Sequence, residues 1–244
     1  TTNWSGTGTL IKTGPGTLSL GSGGSGHTGK VTIQEGTLRL TSRRIPNITG
    51  MTVLAGGRYL VEDDALNQNF GFASGTLSIA GSGPNNNGAI AYVAQSNVLG
   101  SMYINNNVVL TDDASIFVMA GSGPDRRMTL GGTITGSYTL SKIGAGYLAI
   151  TGNASALAGI NIVEGTLEGR ADYLPQTITN TGTLIFNQPF DITRTQLYSG
   201  TGALVKQGVG QLILTGDNVS TGTTTVKAGS LLLRDGGKLS GSAA

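Results

Sequence analysis

Apolar residues alternate with Thr, Ser and Asn over short stretches, and most of these stretches are entered by Gly. The unit Gly-x-apolar-x-apolar begins at Gly16, Gly36, Gly57 and Gly75, and again at Gly146, Gly182, Gly210 and Gly229. The copy at Gly165 keeps only its first apolar position, Leu167. Alternation with period two describes a strand with one buried face. Gly at its entry permits the positive φ or close backbone approach that a corner needs. No window carries an apolar period of 3.6 over ten residues, so helix content is expected near zero. Between 80 and 130 the pattern loosens. Even there, 89–93, 102–104, 108–110 and 115–119 read as strands, and the Asn runs 85–87 and 105–107 read as turns, where Asn tolerates left-handed geometry.

A longer sentence contains the short unit. Leu10-Ile-Lys12-Thr-Gly14-Pro-Gly16-Thr-Leu18-Ser-Leu20 aligns with Leu140-Ser-Lys142-Ile-Gly144-Ala-Gly146-Tyr-Leu148-Ala-Ile150 and with Leu204-Val-Lys206-Gln-Gly208-Val-Gly210-Gln-Leu212-Ile-Leu214. Each then runs through a polar loop into a second half ending Gly36-Thr-Leu38, Gly165-Thr-Leu167 or Gly229-Ser-Leu231. One strand per period near 20 residues predicts an all-β fold, a right-handed parallel β-helix, or β-solenoid, over 1–244 as a single continuous domain. About 11–12 coils at the strand spacing of about 4.8 Å give a rod of roughly 50–60 Å. No coil buries its own inner face, so stability is a sum over neighbours. Leu18, Leu38, Leu148, Leu167, Leu184, Leu212 and Leu231 are expected to be buried as one continuous inner ladder.

Composition narrows the function classes. Gly and Pro make up about a fifth of the 244 residues, yet 38% are hydrophobic and only 11% charged. Disordered chains show the opposite balance. The net charge of +2 is too small and dispersed for nucleic-acid binding. The pairs Arg43-Arg44 and Arg126-Arg127 read as solvated loop charges. There is no Cys, which excludes disulfides and thiolate chemistry. No run of 18 apolar residues exists to span a membrane as a helix.

The three aligned segments resemble the autotransporter-associated β-strand repeat of bacterial type V secreted passengers. The resemblance covers about 100 residues directly, with the spacers behaving as degenerate copies. It implies export through an outer membrane, an extracellular or bacterial cell-surface location, and roles in adhesion, aggregation or holding a head away from the cell. The alternating, aromatic-girdled strands of a translocator barrel are missing from this sequence.

Candidate chemistry is sparse. Lys12, Lys142 and Lys206 recur at one repeat position and read as strand-end lysines that leave the core at the corner and discourage edge pairing. The alternative is a ligand-binding lysine ladder. His27, the sole histidine, lies in a Ser/Gly loop without the strained nucleophile turn a Ser-His-Asp arrangement uses. The clusters Glu62-Asp63-Asp64 and Asp112-Asp113 have the residue types for inverting glycoside hydrolysis. They read as solvated turn carboxylates, because the Asn-Thr-Asp, Gly-His-Gly and Arg-Ile-Lys stretches of β-helical pectin hydrolases are absent. Gly121-Ser-Gly-Pro-Asp125 is a partial echo of a calcium repeat and carries no assignment. Sequons at Asn3, Asn47, Asn153 and Asn218 are expected by chance in such a composition, and Trp4 is a candidate cap for the first coil. The sequence nominates no catalytic, cofactor-binding or metal-ligating residue and no cofactor.

The expected function is therefore a non-catalytic stalk or adhesin segment, with a filament subunit and a glycan-acting enzyme as alternatives. Both ends read as if another coil should follow, which predicts head-to-tail stacking between copies or a longer passenger. Expected partners are the chain itself, through end-to-end or lateral contacts, or a host, cell-surface or glycan partner. Binding is expected along a lateral face, with no cleft of convergent titratable groups.

Overall fold

The computed structural model describes residues 5–20, 26–40, 47–63, 68–94, 101–121, 127–195 and 197–239. It is a β-solenoid of about 10 turns whose coils stack in parallel. A single 3₁₀ turn, Pro84–Asn86, is the one helical element among the described residues, and Asn85 and Asn86 there adopt positive φ. The expected middle strands are present as Ile90–Ala94, Met102–Ile104 and the bulged Val108–Val118.

Each regular coil contributes three strands, so the solenoid has three faces. Face one holds Leu10–Lys12 and Leu77–Gly81, and it includes Ile192–Arg194, Gln211–Leu214 and Ser230–Leu233. Face two holds Thr17–Leu20, Ile90–Ala94, Thr139–Ile143, Gly159–Ile162 and Thr177–Asn180. Face three holds Met102–Ile104, Arg127–Leu130, Tyr147–Ile150, Thr166–Gly169, Thr183–Asn187 and Ala203–Gln207. The long strands Val31–Leu40 and Met51–Asp63 turn the corner between faces one and two together, their register shifting by a bulge between Ile33 and Glu35.

This corrects the single ladder expected from the sequence. Leu18 stacks on Leu38 on face two, Leu148 on Leu167 and Leu184 on face three, and Leu212 on Leu231 on face one. Leu38, Leu148, Leu167, Leu184 and Leu212 are fully buried, whereas Leu18 and Leu231 are partly buried against the core. The three faces share one consensus because each needs the same thing, an inward residue every second position. The coil count is lower than expected because the middle coils are long. Val31 pairs with Met51, a regular step, but Met51 pairs with Leu77 and Leu77 with Val108. Insertions at the corners consume residues that the even period assigned to further coils.

One inward position breaks the pattern instructively. Gly169 occupies the core row between Ile150 and Phe186, leaving a hole where the other coils place a large side chain. Leu174 fills it from outside the strand, its Cδ2 only 2.9 Å from where a Cβ on Gly169 would lie. To reach inward, the chain folds back through a turn in which the Tyr173 and Leu174 amides both donate to the Arg170 carbonyl. This turn stands beside face three and forms one wall of the groove described next.

Candidate functional site

The repeat lysines do not leave the core. Lys142 and Lys206 are fully buried and Lys12 is 7% exposed. Each places its Nζ in the same cage of three carbonyls. Lys12 donates to Thr13 (2.9 Å), Gly14 (2.6 Å) and, from the next coil, Glu35 (3.0 Å). Lys142 donates to Ile143 (3.2 Å), Gly144 (2.5 Å) and Glu164 (2.9 Å). Lys206 donates to Gln207 (2.7 Å), Gly208 (2.8 Å) and Ala228 (3.2 Å). A corner turns backbone carbonyls away from the strand ladder, and a buried carbonyl without a donor is costly. One ammonium supplies three N–H donors and satisfies both coils at once. Burial pulls the Lys142 amine down to about 8, with Glu164 opposing, and it lowers Lys206 as well.

The glycines of the repeat make room for this cage. Gly14, Gly144 and Gly208 have φ near +75°, as do Gly36 and Gly165, with Gly229 at +66°. A Cβ on Gly165 would lie 2.4 Å from the Gly146 carbonyl and 2.6 Å from that of Gly144. The cages sit at different corners: Lys12 is in register with Ile33 on face one, Lys142 with Ile162 on face two, and Lys206 with Phe186 on face three. They therefore form no lysine ladder, and they point away from solvent. Each is a bolt between two coils.

The other sequence candidates are dispersed. His27 is on the strand Gly26–His27 and buried, where a loop was expected. Glu62 is likewise buried, accepting from Arg39 Nε at 2.7 Å, so it is an ion-pair partner and not a solvated carboxylate. Asp113 caps a backbone amide of the next coil, Thr139 N, at 2.8 Å. Asn153 is exposed, and Asn218 is buried with its Oδ1 accepting from Tyr198 N at 2.8 Å. Trp4, Asn3, Arg43, Arg44, Asp64, Asp125 and Arg126 lie outside the described residues. Among the described residues no group of three or more His, Cys, Asp or Glu is placed to hold a metal ion, and no helix is long and apolar enough to cross a membrane.

What sequence reasoning missed is a lateral groove of about 400 Å³ on the outer side of face three, contrary to the expectation of no such cleft. Its floor is Glu168, an outward residue between the inward Leu167 and Gly169. Tyr147 Oη donates to the Glu168 carboxylate, as do Asn187 Nδ2 at 2.7 Å and Arg127 Nη1 at 3.4 Å. Arg127 is thus on a strand facing an acid, and not a loop charge. These donors come from coils in register on face three, so the pleat itself sets their spacing. Burial, and then the bond to Glu168, raise the Tyr147 phenol well above its ordinary value, which keeps it a donor. The wall is the turn that Leu174 anchors. Arg170 lies between the Tyr173 and Phe190 rings, 4.0 and 4.5 Å from their centroids, and pairs with Asp172. That pairing holds the Arg170 guanidinium above its usual value. The only signal of the groove in the sequence was the defective copy at Gly165, whose missing second apolar residue is Gly169.

Comparison with known proteins gives this architecture its context. A family model described as the passenger-associated-transport-repeat matches residues 10–40, 140–168 and 204–233. Those are the three segments that build the lysine cages. This is autotransporter passenger sequence. Over 226 residues, or 90% of the chain, the passenger sequence is 31% identical to the adhesin BmaC autotransporter of Brucella suis biovar 1 (strain 1330). The chain spans about 6% of the length of that relative. No solved structure matches the chain. Passenger sequence of this kind belongs at the cell surface or outside the cell.

Proposed function

We propose that this chain is a non-catalytic, adhesive segment of a surface-exposed passenger, acting as one continuous unit that holds a lateral binding face at a fixed height. The observation that carries this reading is the uninterrupted inter-coil pairing from Leu10 to Leu239, with the core filled by apolar side chains and caged lysines. A stack of this kind resists bending because each coil is bonded to its neighbours along two or three faces. Its outward rows offer Thr, Ser and Asn for contact, with one groove among the described cavities that gathers charged groups. The likeness to an adhesin along 90% of the chain supports the same reading.

The test is retention under flow. Beads displaying the 1–244 chain should be held on a mammalian cell layer more strongly than beads displaying an unrelated spacer of equal length. Equal retention contradicts an adhesive role and leaves a spacer only, and release of sugars from a polysaccharide panel contradicts the non-catalytic reading.

A further inference from the structure

We infer that the groove over Glu168 is a saccharide subsite that takes a neutral pyranoside. The inference rests on the adhesive reading above and gives it a chemical target. A sugar hydroxyl is both donor and acceptor, so vicinal hydroxyls are best met by acceptors and donors side by side. The groove floor supplies that arrangement. The carboxylate of Glu168, whose side chain is 15% exposed, lies beside the Asn187 amide and the guanidinium of Arg127, whose side chain is 36% exposed. The three groups are held by one another and by Tyr147, so their geometry is fixed before a ligand arrives. Beside Thr151 and the Asp172-paired Arg170, the lining includes Ala149, Ile150, Pro189 and the Tyr173 ring, apolar surface that suits the C–H face of a pyranose. A volume of about 400 Å³ falls in the range of small-ligand sites, about 300–1,000 Å³.

Charge selects the class of sugar. Arg127 is offset by Glu168, and Arg170 by Asp172, so the groove presents balanced charge. An acidic sugar would meet the Glu168 carboxylate on the floor, which repels it. The same balance argues for binding and against cleavage. Glycoside hydrolysis uses two carboxyl groups across the scissile bond. Here Glu168 is the one carboxylate lining the groove, since Asp172 is engaged by Arg170 through both its oxygens.

The experiment is saturation-transfer NMR on the intact 1–244 chain with neutral methyl glycosides (gluco, galacto, manno and N-acetylglucosamine forms) and, separately, glucuronic acid and sialic acid. Binding of at least one neutral glycoside is expected, weakened tenfold or more in Glu168→Gln and in Tyr173→Ala. Glu168→Gln is isosteric and outward, and an unchanged melting temperature verifies that it folds. No neutral glycoside bound, preference for the acidic sugars, or binding unchanged in both variants overturns the proposal. Bead retention separates the two readings. If retention persists in Glu168→Gln while no glycoside binds, the groove assignment falls and the adhesive reading stands. If wild-type beads are not retained, the adhesive reading falls as well.

Discussion

The repeat consensus is chemistry of single residues at a corner. A lysine in a solenoid core would ordinarily be a severe cost, since an isolated buried ammonium loses its hydration. Here three carbonyls replace the water, two from the lysine's own turn and one from the next coil. Lys142→Met would leave those carbonyls without a donor, at about 1–3 kcal/mol. The pH dependence has a definite sign. Burial lowers Lys142 to about 8 in the folded chain, against about 10.4 for a free lysine. Between these values the unfolded chain binds more protons, so stability from this group rises with pH through that window and is flat below it. Denaturant midpoints should therefore show wild type above Lys142→Met at pH 7, with the gap widening from pH 8 to 10. A gap that stays constant or narrows contradicts a cage whose amine is held against desolvation.

At the scale of the element, the decisive unit is a strand, a glycine corner and the strand that follows, repeated at whichever corner of the coil needs it. The corner glycines differ in what they permit. Gly165 has φ +73° and its absent Cβ faces two carbonyls, whereas Gly16 has no positive φ and nothing within 4 Å of a Cβ. Gly165→Ala should lower stability by about 2 kcal/mol or more, and Gly16→Ala should change it by less than about 0.5 kcal/mol. Thermal denaturation of the pair checks this, and equal losses would contradict the close seating of one coil on the next. The strands were legible because alternation needs only a core on one side, as at Leu148 and Ile150. Which face each strand occupies was not legible, since Leu38, Leu148 and Leu212 obey the same pattern on three different faces. The cage was also hidden. Lys142 shares parity with buried Leu140, and only the neighbouring coil's Glu164 carbonyl explains why that parity is kept. The groove was least legible of all, because it follows from an absence, Gly169, which Leu174 repairs by a detour that brings Arg170 and Tyr173 together.

The whole molecule is a parallel stack of coils, in which insertions lengthen corners without interrupting the stack. The longest steps, Met51 to Leu77 and Leu77 to Val108, still keep their partners in register. That continuity is what lets a lateral groove on face three sit at a fixed position along a surface appendage. The chain contains no Cys, so labelled cysteines can be placed one pair at a time. Ser19 and Thr179 are exposed on face two and are separated by seven coil steps through Arg39, Leu60, Ala91, the strand Val108–Val118, Ser141 and Asn161. The most direct test of the central claim is the spin-label distance between Ser19→Cys and Thr179→Cys, set beside that between Ser19→Cys and Ser141→Cys. With about 4.8 Å per coil, the stacked rod predicts distances of about 34 and about 24 Å, each narrowly distributed. Two equal distances, or a broad spread for the longer one, would contradict a continuous stack.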